Sequence, residues 1–551
     1  MDRSSRIKEL LLKYVATVTH TSTELEKNNE KFFSEWFNEI EKNSKLPLHC
    51  GFFAVPNDKL NRKIPYAFII GKSKNTIILI HHTDTVDVED YGNLKDIAYD
   101  PVALNKAYLS GSVDLNKNAK KDLQEGGWIL GRGATDMKSG GVMHMALFEE
   151  YMTDIDFQGS ILLLGLPDEE NSSAGMRAAA YLLDKLHNDF GLEYKLTLNG
   201  EPHERKNPKN MMIYDGTIGK IMPIFLVRGK LAHVGQVYSG LNPIHILSEI
   251  VTRTELNPEF LEKAGNTVAP PCTWLYFKDR KYVYDVSLPI YLGGYMSILP
   301  LRRSPKELME RLYNISKESF NIVIKRTNES YKKYCQLSGE KYEPIIYEPK
   351  VMYYSDLYNE IISSGDDRII SQIKKIESNL TEDVMSSKYS RAEACYKMME
   401  ALLNFYEYRG PIIVLGISAP YYPSNNNMDL ENKDKMNLLV KKIQSFGKEQ
   451  LSIGVDIQNY YTGICDLSYS MFPYAQEDID YIENNMIMWG KSYNIPLNLI
   501  KKYSTPVLNI GAWGKDFHKY TERVLEEDLV NRTPIFKTGV EYFFIRFNGI
   551  L

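Results

Sequence analysis

Five side chains of this 551-residue chain, His82, Asp136, Glu170, Glu201 and His518, are of types that together hold a pair of divalent metal ions. Two imidazoles and three carboxylates suit borderline metals, zinc first, with cobalt and manganese as alternatives, and they exclude a thiolate site. Two ions sharing one carboxylate would lie about 3.5–4 Å apart with a water between them. Such a pair acidifies the water and polarises a carbonyl, and a further group must then move protons. Glu169, next to a ligand, fits that general base and acid role. Asp84 follows His82 by two residues, the spacing of a carboxylate that orients a ligating imidazole. His81 duplicates the imidazole, and the His-x-Asp spacing favours His82.

Each candidate has an ordinary alternative. A histidine pair after a strand can be incidental. Asp136, where a glycine-rich bend enters a helix, could be an N-cap. Acids after apolar strands could be solvated loop starts. Their recurrence favours one shared site. The run Thr76–Ile80 reads as a strand buried on both faces and ends in His81, His82 and Asp84. Residues 160–166 form a second such run, ending in Pro167-Asp-Glu-Glu, where Asp168 reads as a turn residue. Residues 194–198 form a third, ending in Asn199-Gly-Glu-Pro-His, with His203 behind Glu201. Helices are expected at about 137–152 and 174–188. Strands alternating with helices predict a parallel sheet, and ligands gather beyond the carboxyl ends of its strands. A late strand at 506–510 leads to His518 and a final helical segment, returning a second imidazole to the same sheet edge.

Elsewhere, 5–19 and 28–41 have helical apolar spacing, and 66–71 reads as a strand. Residues 90–127 are polar and read as a long, loop-like excursion. After Asp215 the pattern changes to half-exposed strands and charged helices. The expected fold is therefore α/β, a mostly parallel sheet with helices on both faces, plus an inserted α+β lid. Residues 1–215 and 425–551 would form the metal-binding domain and 216–424 the insertion.

Composition is that of a globular protein, with 43% hydrophobic and 25% charged residues. A net charge of −5 gives no argument for nucleic acid or an anionic membrane surface. The five cysteines are scattered, without CxxC spacing. The start has no signal-peptide core and no run suffices to span a bilayer, so a cytoplasmic protein is expected.

The motifs His82-Thr-Asp84, Gly131-Arg-Gly-Ala-Thr-Asp136-Met-Lys, Asp168-Glu169-Glu170, Gly200-Glu201-Pro202, Gly229-Lys-Leu-Ala-His233 with Gly240-Leu-Asn242, and His518 followed by Glu522 span most of the chain. In this order they resemble the M20 family of co-catalytic metallopeptidases and amidohydrolases, and are most similar to its arginine-utilisation, RocB-type members. The resemblance implies one ion on His82, Asp136 and Glu201 and another on Asp136, Glu170 and His518. It implies that Asp84 orients His82 and that Glu169 is base and acid. It makes His233, on the insertion, a stabiliser of the developing oxyanion and Asn242 a contact for a substrate carboxylate. It further implies amide hydrolysis of small peptides or N-acyl amino acids, a place in arginine or amino-acid catabolism, and a homodimer through the insertion. Two other readings stand beside it: a catalytically silent M20-like binding or regulatory protein, and a metal-dependent esterase or deacylase.

Overall fold

The computed structural model describes residues 2–546 apart from positions 112, 206, 364 and 432. Its chain divides into two units, 1–218 with 424–473 and 496–551, and 219–423 with 474–495.

The first unit is built on eight strands: β1 (Leu48–Ala54), β2 (Lys63–Ile70), β3 (Asn75–His82), β4 (Ser160–Leu166), β5 (Glu193–Asn199), β6 (Asn210–Tyr214), β7 (Gly454–Gln458) and β8 (Val507–Asn509). They are ordered β1-β2-β4-β3-β5-β8-β6-β7. The central four, β4, β3, β5 and β8, run parallel, and β1 and β2 add an antiparallel edge. Every side chain of β3 from Thr76 to His82 is buried, because helices cover both faces. Ile77 and Leu79 pack into a core that includes Tyr14, Phe33, Val142 and Val440. Ile78, on the other face, lines a small cavity together with Met176, Ala180 and Leu183 of the helix Ala174–Phe190.

The expected excursion is not a loop. It folds into a 3₁₀ segment (Glu89–Ile97) and two helices, Pro101–Leu109 and Lys117–Glu125, around a small core of Tyr91, Ala98, Leu104, Tyr108, Leu115 and Ala119. Asp100, followed by proline, caps one helix and Asn116 the other. The segment after His518 is also corrected: strand Arg523–Leu525 precedes the final helix. It pairs with Trp128–Leu130 and Gly514–Lys515 in a small sheet.

The second unit holds a five-stranded sheet in the order Thr273–Asp279, Tyr291–Ser297, Lys220–Arg228, Ile412–Tyr422, Val351–Tyr353, with helices packed on it. The assignment of all of 425–551 to the metal-binding domain is corrected here, since 474–495 belong to this unit. Ile487 N donates to Ile417 O (3.0 Å), Asn485 Oδ1 accepts from Ser355 N (3.3 Å), and Tyr421 N donates to Tyr493 Oη (3.2 Å). No helix of the described residues is long and apolar enough to cross a membrane.

Candidate metal centre

The ends of three parallel strands meet at one place. Register pairs His82 of β3 with Leu166 of β4, so the turn Pro167–Glu170 leaves the sheet beside the imidazole. On the other side β3 pairs with β5, whose exit leads through Gly200 to Glu201. The helix Lys138–Tyr151 presses its first turn against that exit. A Cβ at Gly140 would lie 2.4 Å from Gly200 O, so only glycine allows this approach.

The structure brings together His82, Asp136, Glu169, Glu170, Glu201 and His518. Asp136 faces both imidazoles, with Oδ1 3.1 Å from His82 Nε2 and Oδ2 3.3 Å from His518 Nε2. Glu170 Oε2 lies 3.1 Å from His518 Nε2, and Glu201 Oε1 lies 3.9 Å from His82 Nε2. Donor atoms of His82, Asp136 and Glu170 fall within 4.8 Å of one another, as do those of His82, Glu169 and Glu201. Asp136 does not cap the following helix, whose N-cap is Met137. His81 turns to the other face of β3, with Nε2 3.4 Å from Tyr14 Oη.

The electrostatics follow from burying many acids together. Burial opposes charge on His82, yet Asp136, Glu201 and Glu169 hold its imidazole well above the ordinary range. Hydrogen bonds to Asp136 and Glu170 raise His518 to about 10. Burial pushes Glu169 and Glu201 well above the carboxylate range, although His82 pulls each down. Burial also lifts Asp466, beside this cluster, to about 7. Four carboxyls face two imidazoles here, and bound divalent cations would supply the positive charge that lets the lifted carboxyls ionise. Nitrogen and oxygen donors without sulfur fit zinc, cobalt or manganese.

Asp84 does more than its spacing predicts. His82 Nδ1 lies 2.9 Å from the Asp84 backbone O and 3.7 Å from its carboxylate. That carboxylate accepts from Glu169 N (3.1 Å) and Glu170 N (3.2 Å), tying the acidic turn to β3. Sequence reasoning missed Arg62. Its buried guanidinium donates to Asp168 Oδ1 (2.6 Å), Glu26 Oε1 (2.7 Å) and Asp58 Oδ1 (2.6 Å). Asp168, at a φ of 71°, also accepts from Ser172 Oγ and Ala174 N. The only sequence signal was a third acid beside the pair. His203 is buried, and burial with Arg205 nearby pushes its imidazole down to about 3.

His233 and Asn242 lie on the second unit. His233 is exposed, and its Nδ1 accepts from Gly235 N (3.1 Å). Asn242 caps the helix Pro243–Thr254 through Oδ1, which accepts from Ile244 N (3.0 Å).

Comparison with known proteins places these features in a family. The model of peptidase family M20/M25/M40 matches residues 78–541. The chain is 30% identical to YqjN, an uncharacterized protein of Bacillus subtilis, over 82% of this chain and 80% of YqjN. It is 26% identical to RocB of the same organism, over 97% of this chain and 94% of RocB. Among solved structures it is similar to Bacillus subtilis YXEP, described as a dinuclear metal binding peptidase of the M20 family. The TM-score there is 0.50 at 10% identity, over 99% of each chain.

Proposed function

The chain belongs to peptidase family M20/M25/M40 and is a hydrolase, and from that premise we propose that it cleaves an amide bond in a small peptide or N-acyl amino acid at a two-metal centre. The observation that carries this is Asp136, whose carboxylate turns one oxygen to each imidazole. His82, Asp136 and Glu201 would hold one ion, and Asp136, Glu170 and His518 the other. Bound there, two divalent ions, zinc in our reading, polarise the scissile carbonyl and acidify a water.

The chain's own residues then act as follows. Asp84 fixes His82 and, through the amides of Glu169 and Glu170, the direction of the acidic turn. Glu169 takes the water's proton and returns it to the leaving amine. A carboxyl lifted by burial suits both halves of that transfer. His233 would stabilise the developing oxyanion and Asn242 would contact a substrate carboxylate. Resemblance to RocB-type proteins supports a place in arginine or amino-acid catabolism. Resemblance to the M20 family supports a homodimer, read by light scattering.

The test is metal content per chain by elemental mass spectrometry, for the wild type and Asp136→Asn, together with turnover of dipeptides and N-acyl amino acids. Two ions in the wild type, a clear loss in the variant and turnover that follows metal content are expected. No ion after incubation with excess zinc or manganese would overturn the proposal.

A further inference from the structure

Glu522 is fully buried, 386 residues from the loop it holds. One carboxylate oxygen, Oε1, accepts from the backbone N–H groups of both Thr135 and Asp136, each at 3.2 Å. The other, Oε2, is fixed by Arg132 Nη1 at 2.6 Å. Arg132, itself 1% exposed, donates onward to Asp90 Oδ1 (2.7 Å) and Asp87 O (2.9 Å) and stacks on Tyr91. Strand pairing sets the height of this contact, since Arg523 is opposite Leu130 and Gly131 N donates to Glu522 O.

A buried salt bridge alone is weak evidence of purpose. This carboxylate, however, grips the amide of the one residue that faces both imidazoles. The arrangement repeats that of Asp84, which spans the amides of Glu169 and Glu170. We infer that Glu522 is a positioning residue that aims Asp136 at both metal positions by holding the Thr135 and Asp136 amides. The inference rests on the two-metal reading above.

Metal-free wild type, Glu522→Ala and Glu522→Gln are titrated with cobalt(II), whose visible absorption reports coordination at each ion, and the unfolding temperature of each metal-free protein is recorded. Groups that orient ligands typically contribute ~10–100-fold to metal affinity. Glu522→Ala is therefore expected to weaken both ions by about that range, because Asp136 serves both. Glu522→Gln keeps an acceptor for the amides and is expected to recover part of the loss. A merely structural role would lower the unfolding temperatures and leave cobalt affinity unchanged. Wild-type affinity at both ions in Glu522→Ala overturns the inference. Should Glu522→Ala fail to fold, wild-type affinity at both ions in Glu522→Gln does so. Loss at only one ion also overturns it. The wild-type titration separates the two claims: two ions bound keeps the centre while the variants judge Glu522, and none bound removes the centre and this inference together.

Discussion

The two imidazoles that face Asp136 are equal in the sequence and unequal in the structure. His82 ends a central strand paired on both sides, is 1% exposed, and has Nδ1 held by a backbone carbonyl. His518 sits in a loop at a φ of 60°, with its side chain 51% exposed. Its loop is held from outside. Asp516 accepts from Arg523 Nη1 (2.5 Å), Tyr520 Oη donates to Asp114 O (2.8 Å), and Tyr108 Oη donates to Tyr520 O. One half of the centre is thus built into the sheet, while the other depends on contacts with the 90–127 segment. A site made this way should hold its first ion on a preformed surface and exchange its second more readily.

Several measurements can break or sharpen that contrast. The largest effect is expected where the halves do not differ. Glu169→Ala should lower kcat by ~10²–10⁴-fold, the usual contribution of a general base, with metal content unchanged; metal loss in step with kcat would take away its separate role. Next come the imidazoles themselves. His82→Ala should lose its ion and its turnover even in excess zinc. His518→Ala should lose an ion at low free metal and regain part of its turnover in excess, because Asp136 and Glu170 remain. Equal behaviour of the pair would end the comparison. Arg62→Met then probes the rigid half. Breaking a buried pair by removing one partner costs ~3–5 kcal/mol, here leaving Asp168, Glu26 and Asp58 without their cation. Urea unfolding of metal-free protein should show that loss, with a smaller fall in kcat through the turn that carries Glu169.

The same contrast separates what the sequence reveals from what it hides. The strand ends are legible because apolar runs such as Thr76–Ile80 stop abruptly at imidazole or acid, and a parallel sheet gathers such ends at one edge. The 90–127 segment reads as a loop because its Gly, Asn and Lys clusters dominate, and its apolar groups, Ile97-Ala98-Tyr99, Val102-Ala103-Leu104 and Ala107-Tyr108-Leu109, are too short and too interrupted to stand out. Its real signals are the caps, Asp100 before Pro101 and Asn116 before Lys117. The membership of 474–495 in the second unit is set by packing on residues more than sixty positions earlier, which no local pattern carries. Asp84 is half legible: its spacing points to His82, whereas its carboxylate serves the amides of Glu169 and Glu170.

The smallest expected effect tests the exposed half alone. Asp122, on the helix Lys117–Glu125, accepts from Arg523 Nε (2.9 Å) and Nη2 (2.6 Å) and from Lys515 Nζ (2.8 Å). Lys515 lies over the rings of Trp128 (4.4 Å) and Trp513 (4.7 Å). Asp122→Asn keeps the shape and removes the charge that holds both cations. Arg523 then has Asp516 as its remaining carboxylate, two residues before His518. The ion on His518 should weaken by roughly tenfold, the low end for an orienting contact. The ion on His82 and Glu201, whose ligands leave strands β3 and β5, should be unaffected. Stepwise zinc titration against a chelator of known affinity reads the two constants separately. Equal weakening of both would mean that the two halves are held as one body.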